Sequence, residues 1–178
     1  LSQRSRERIK LKLKERFNDN LEQGLVQIIE APRSFYSQLV GLKRTFGDTQ
    51  ERMYWRSKQN MDYIFLFKYA EVLSEYYLQM EDDVLSVANY SGAIRQFIRE
   101  KKSIPWIILE FSGWGFIGKL FRNSSLYHIA RFLKLFYNDM PCDYLLWNYM
   151  RIMGQPQNTL RVPELFSHIG KQSSKLGT

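Results

Sequence analysis

Two short runs rich in β-formers, Glu75 to Met80 (EYYLQM) and Trp106 to Phe111 (WIILEF), flank a helix-length segment from about Tyr90 to Lys101. Apolar runs this short, closed off by charged or turn residues, read as buried strands. A strand, a helix and a second strand in that order predict an α/β sheet with right-handed crossovers. In such sheets a ligand lies outside the carboxyl ends of the strands. The first run ends directly on Glu81-Asp82-Asp83, which makes this triplet the first place to look for a site.

The flanking segments extend the alternation. Ile9, Leu13 and Phe17 recur every four residues, predicting a helix over Arg6 to Asn18 that Gly24 stops. Leu25 to Glu30 (LVQIIE) reads as a short buried strand, and Pro32 opens an irregular stretch. A long helix is expected from Thr49 to Leu73, with Met53, Met61, Phe65 and Tyr69 facing inward. Further helices are expected over Leu126 to Tyr137 and Asp143 to Met153, and a last strand over Thr159 to Val162.

With 178 residues, 44% of them hydrophobic, and 12 Phe, 11 Tyr and 4 Trp, the chain can fill one sizeable core. A disordered chain would be far poorer in aromatics. The net charge of +8 suits a phosphate-bearing ligand, an anionic surface or nucleic acid. Much of it lies in Arg4, Arg6, Arg8, Lys10, Lys12 and Lys14, a run that reads as a solvated helix face. No zinc-finger spacing or RNP-like pattern accompanies it, so no nucleic-acid partner is expected. The single cysteine, Cys142, excludes an internal disulfide framework. Asn89-Tyr90-Ser91 and Asn123-Ser124-Ser125 are glycosylation sequons that lean towards the secretory pathway. No apolar run approaches the roughly 18 residues of a membrane span, and a chain opening on Leu1 reads as an excised segment.

Three adjacent carboxylates repel one another, and a hard divalent cation such as Mn²⁺ or Mg²⁺ relieves that repulsion. A solvated turn ending the strand accounts for them equally well. His168, between Phe166 and Ile169-Gly170, fits either a satisfied core histidine or a ligand completing a metal shell with carboxylates. His128, in the middle of an expected helix, reads as structural. Arg52, Arg56 and Lys58 can meet a diphosphate or form a basic helix face. Gly115 and Gly118 allow close backbone approach to a ligand, or serve an ordinary turn before Lys119. Asp143, following Pro141 and Cys142, is placed as a helix N-cap or as a general base.

Five stretches in order, FGDTQERMYWRSKQNMDY (46–63), YYLQMEDDV (76–84), WIILEFSGWGFIGKLF (106–121), FYNDMPCDYLL (136–146) and RVPELFSHIGKQSS (161–174), resemble the N-acetylglucosaminyltransferase IV family. The match covers 24–174 within a single catalytic segment over 1–178, behind a basic amphipathic helix over 1–23. The MPCD variant is most similar to the C-type branch. The resemblance implies a partial GT-A fold, a Rossmann-like mixed sheet flanked by helices whose first donor-binding strands lie outside the chain. It implies UDP-N-acetylglucosamine as donor, Mn²⁺ as cofactor, and inverting β1,4 transfer to the α1,3-linked mannose arm of an N-glycan on glycoproteins.

Carried over by position, Glu81, Asp83 and His168 are the metal ligands, and Asp82, Arg56, Lys58, Gly115 and Gly118 lie on the donor side. Asp143 is the expected base, with Glu110 and Asp62 as rivals. The family's setting implies the Golgi lumen and, at full length, a type II membrane protein anchored upstream of Leu1. Where A and B types carry a second Asp after the DWLL-like stretch, this chain has Trp147. The alternative is a non-catalytic relative that associates with and regulates other Golgi transferases.

Overall fold

The computed structural model describes residues 3–36 and 38–170. The last four residues of the fifth matching stretch, 171–174, lie outside them. The chain divides into two compact units, Leu1–Arg33 and Ser34–Thr178.

In the first unit, helix α1 spans Gln3–Glu22 and is interrupted at Phe17, whose φ of −133° is not helical. Residues 25–30 form no strand, contrary to expectation. No strand of this unit is available to pair with them, so the segment returns along the helix. The Val26 amide bonds the Asn20 carbonyl, and Glu30 meets both Arg6 and Lys10 at 3.1 Å. The basic face of α1 is thus partly neutralised by its own chain.

The second unit is mixed α/β. Helix α2, Gln50–Ala70, starts at Thr49, whose hydroxyl accepts the Arg52 amide, an N-cap bond. Its buried stripe is Met53, Met61, Ile64 and Phe67; Phe65 is half-buried and Tyr69 is exposed. Phe67, two residues earlier and on the other side of the helix, is buried instead of the expected Tyr69. Helix α4, Asn123–Phe136, packs along α2 through Leu126, Ile129, Ala130 and Leu133. Helix α5, Cys142–Ile152, closes that layer with Leu145, Leu146, Tyr149 and Met150.

Strands β1 (Tyr76–Gln79), β3 (Ile108–Glu110) and β4 (Lys119–Arg122) form one sheet in the order β1-β4-β3, with both pairings antiparallel. The expected parallel neighbours β1 and β3 are thus separated by a strand that local pattern did not show. The glycines of 113–118 make the β3–β4 turn, where Gly115 and Gly118 adopt φ of +41° and +62°. A second sheet pairs β2 (Val84–Ser86) with β5 (Phe166–His168), also antiparallel. The strand expected at 159–162 reduces to one bridge, Leu160 to Glu110, and the true strand lies further on. Helix α3, Tyr90–Glu100, contributes Ile94 and Phe97 to the core.

The alternation of the short strands divides the core. Ile108 and Phe121 are opposite each other and face the helical layer, while Leu109 and Leu120, the next pair, face Phe97, Leu165 and Phe166. Each such buried side chain contributes roughly 1.5–3 kcal/mol. The free edge of β3 is closed by buried Gln155. Its Oε1 accepts the Ile107 and Ile108 amides at 2.6 and 2.9 Å, and its Nε2 donates to the Ile108 carbonyl at 2.8 Å. Those edge groups are thereby satisfied without another strand. Among the described residues, no helix is long and apolar enough to cross a membrane.

Candidate metal centre

Strand β1 gives way at Met80, and the carboxylates of Glu81 to Asp83 bridge it to β2. The β2–β5 register sets Val84 opposite His168, and the Ile169 amide donates to the Asp83 carbonyl at 2.9 Å. These backbone bonds bring together two residues 85 positions apart, with His168 Nε2 lying 3.0 Å from Asp83 Oδ2. Glu81 completes the group: one ligand atom each from Glu81, Asp83 and His168 lie within 4.8 Å of one another. Asp82 is exposed and is not one of the cluster's ligand-bearing residues. His168 is exposed beside a carboxylate, not a core histidine.

Three further observations fit a cation. Asp83 Oδ1 is buried with no hydrogen-bond partner among the described residues. Gly170 leaves the cradle open, because a Cβ there would stand 2.3 Å from Asp83 Oδ2 and 2.6 Å from His168 Nε2. Glu81 is half-buried, and burial, then the Asp83 charge, push its carboxyl above the ordinary value. The Phe116 backbone amide and His168 oppose that rise. Two carboxylates and an imidazole form a donor set able to hold a divalent ion such as Mn²⁺.

Gly115, next to Phe116, approaches Glu81 on one side; its Cβ position is 3.7 Å from Glu81 Oε1. On the other side it lines an open cleft of about 350 Å³. That cleft also takes Glu110, Lys119, Asp143, Tyr144 and Trp147 into its walls, so two of the three candidate bases share it. Asp143 is in the first turn of α5, with Pro141 at the cap position and no side-chain cap bond; the expected N-cap role is not taken. Glu110 is buried against Lys119, Oε1 to Nζ at 2.6 Å, and Lys119 also donates to the Ser112 carbonyl at 2.9 Å.

The remaining expected residues are engaged elsewhere. Asp62 accepts from Lys58 at 2.7 and 2.9 Å and from the Tyr36 hydroxyl at 2.5 Å, away from the cleft. Arg56 is buried, its Nε 2.8 Å from Asp48 and a second nitrogen on the Thr45 hydroxyl. Burial lowers its pKa, while Asp48 opposes the shift. Arg56 is therefore not presented to an open surface as a phosphate ligand requires, whereas Lys58, with 39% of its side chain exposed, is held by Asp62. Gly118 faces Phe166, which a Cβ would meet at 2.7 Å, so its bare side is filled by packing and admits no ligand. Lys119 and Gly170 gained no role from sequence reasoning. Gly170's position, two residues past a candidate ligand, was the available signal.

A family model described as the MGAT4 conserved region matches residues 4–178. The chain is 46% identical over 163 residues to the alpha-1,6-mannosyl-glycoprotein 4-beta-N-acetylglucosaminyltransferase of Gallus gallus, covering 92% of this chain and 35% of that protein. It is 42% identical over 167 residues to alpha-1,3-mannosyl-glycoprotein 4-beta-N-acetylglucosaminyltransferase C of Danio rerio, covering 94% and 37%. The A enzyme of Bos taurus is 40% identical over 179 aligned positions, covering 93% and 34%. The chain thus spans about a third of the length of these relatives. No solved structure matches it. Matched from residue 4 to its last, and this similar to such proteins over nine-tenths of its length, the chain belongs to the MGAT4 family.

Proposed function

We propose that this chain is part of the catalytic domain of an N-acetylglucosaminyltransferase, transferring the sugar from UDP-N-acetylglucosamine in β1,4 linkage to a mannose of an N-glycan on glycoproteins. The observation that carries the reading is the convergence of Glu81, Asp83 and His168 around a cradle kept open by Gly170, in a chain of this family. The mixed α/β architecture supports part of a GT-A fold, with donor-binding strands supplied from outside this segment. The reading places the whole protein in the Golgi lumen as a type II membrane protein, in the company of other Golgi transferases.

Glu81, Asp83 and His168 hold Mn²⁺ in this reading. When bound, the ion supplies Lewis-acid stabilisation of the leaving diphosphate. Asp143, on the cleft wall, takes the proton from the attacking acceptor hydroxyl. The new C–O bond forms at the anomeric carbon on the face opposite the departing UDP, which inverts that centre. Arg56 and Lys58, ion-paired with Asp48 and Asp62, are left out of the donor site in this reading.

For the acceptor, the α1,3-linked mannose arm follows from the resemblance to the IV-type enzymes and from the names of the Danio rerio and Bos taurus relatives. A second reading, the α1,6-linked arm, is favoured by the name of the Gallus gallus relative at 46% identity. The test is to supply the full-length protein with Mn²⁺, UDP-N-acetylglucosamine and branched N-glycans. Products are resolved by mass and by arm-specific linkage analysis. A β1,4-linked product, together with loss of Mn²⁺-dependent UDP binding in Asp83→Asn, is expected. No product and no UDP binding would overturn the reading.

A further inference from the structure

Resting on that reading, we infer that the cleft between the β3–β4 turn and α5 is the acceptor-sugar subsite. In it Tyr144 and Trp147 form the stacking platform, and Glu110 Oε2 accepts a sugar hydroxyl.

The first argument is an unmet acceptor. Glu110 is 4% exposed and its Oε1 is held by Lys119, yet its Oε2 is buried without a hydrogen-bond partner among the described residues. A buried carboxylate oxygen left unpaired is costly, and such atoms in a folded protein call for a partner. Glu110 belongs to the cleft wall, so a small turn of its carboxyl would present Oε2 to a ligand hydroxyl there.

The second argument is the chemistry of the wall. Asp143, Tyr144, Trp147 and Met150 follow one another at helical spacing on α5, which turns them to one side. Tyr144 and Trp147 are 54% and 45% exposed, although both are large aromatics. Their outer supports are already in place. Phe46 stacks on Tyr144 with centroids 6.0 Å apart and planes within 6°, and the Arg151 guanidinium lies over the Trp147 ring at 4.6 Å. Phe46 itself adopts φ of +58°, a backbone conformation that bulky L-residues rarely take, and the buried Arg56 guanidinium lies 5.7 Å from its ring. Half-exposed rings that line the cleft and are each supported by a neighbour, beside two carboxylates, match a pyranose. A pyranose offers an apolar C–H face to the electron-rich face of an aromatic ring and hydroxyls to acceptors at its rim. With Lys119 already paired to Glu110 and Asp143 adding a carboxylate, the wall offers no free cation to a phosphate among the described residues and suits a neutral sugar better than a nucleotide. The Gly115 edge, shared with Glu81, puts the cleft next to the metal cradle, where an acceptor must be.

The experiment is saturation-transfer NMR with a biantennary mannosyl N-glycan on the full-length protein, in parallel with Mn²⁺–UDP binding by calorimetry. Trp147→Ala and Tyr144→Ala are each expected to weaken glycan binding about tenfold, with UDP binding unchanged. Trp147→Phe should restore most of the loss. Tyr127→Ala, which removes an exposed aromatic on α4, should change neither. Glycan binding that is absent from the parent, or equal in the parent and both alanine variants, overturns the subsite. Glycan binding lost with Trp147, in a protein that binds no UDP, upholds the subsite and instead removes the transferase reading.

Discussion

Replacing Gly170 with alanine inserts one methyl group into the metal cradle and changes no charge. The new Cβ would stand 2.3 Å from Asp83 Oδ2 and 2.6 Å from His168 Nε2, where ordinary contact begins at 3.4 Å. The carboxylate must therefore retreat by roughly 1 Å and the imidazole by slightly less, whereas metal sites tolerate errors of about 0.2 Å in ligand distance. Both obstructing atoms are ends of side chains that can swing outward, so the fold should lose less than about 1 kcal/mol. The expected signature is selective: Mn²⁺ affinity falls about 10- to 100-fold, as it does when groups orienting metal ligands are disturbed, while the thermal midpoint barely moves. Calorimetric titration with Mn²⁺ and a parallel melt read the two quantities. If the variant bound Mn²⁺ within about twofold of the parent, Asp83 and His168 would not be acting together on the ion, and the triad would lose its meaning.

The Glu110–Lys119 pair should show the opposite pattern. Both side chains are about 5% exposed, so Lys119→Met strands a buried carboxylate at a cost of about 3–5 kcal/mol. That should lower the melting temperature by roughly 10 °C, with much of the loss recovered in Glu110→Leu/Lys119→Met. Circular dichroism melts check both variants. Glu81 predicts a pH dependence. Its carboxyl is raised above its unfolded value, so the native metal-free protein holds that proton more tightly than the unfolded chain does. Its contribution to stability is complete below the unfolded value of about 4.3 and is lost as pH rises through the raised one. Metal affinity runs the other way and grows over the same window, because the ion needs the carboxylate bare. Urea midpoints in chelator and Mn²⁺ titrations across that window should diverge in this sense, and Glu81→Gln should flatten the component of each that Glu81 contributes.

Helices were the legible part of this sequence because their signals are local. Thr49 caps α2 as its position suggests, and the apolar spacing of α4 and α5 finds their buried faces within a few residues. Strand β4 was hidden for a physical reason. Lys119 is charged, follows three glycines within seven residues, and becomes a buried strand residue only because the antiparallel register sets Glu110 opposite it. LVQIIE carries a strand-like composition, but a strand exists only by pairing, and its own unit offers none. The acidic triplet was visible as a candidate from the strand before it, yet residues 81–83 fitted a turn as readily as a metal site. His168 could be moved from core histidine to ligand only by the β2–β5 pairing, which joins segments some 80 residues apart.

That pairing also explains why the candidate metal cradle and the cleft belong to one device. Glu81 is fastened to the β3–β4 turn through the Phe116 amide and lies against Gly115. The same turn ends at Gly118, whose missing side chain lets Phe166 pack against it, and Phe166 begins the strand that ends in His168. One hairpin thus positions a carboxylate ligand directly and the histidine through a packed aromatic, while its strands supply Glu110 and Lys119 to the cleft wall. Precision at a site of this kind comes from rigid elements whose side chains are locked by packing. Shortening or loosening 111–118 would therefore misplace the candidate metal ligands and the proposed acceptor wall together. Changes on the exposed face of α5 would reach the proposed acceptor subsite alone. Under the proposed function, that division would let acceptor preference change without disturbing the donor-side metal site.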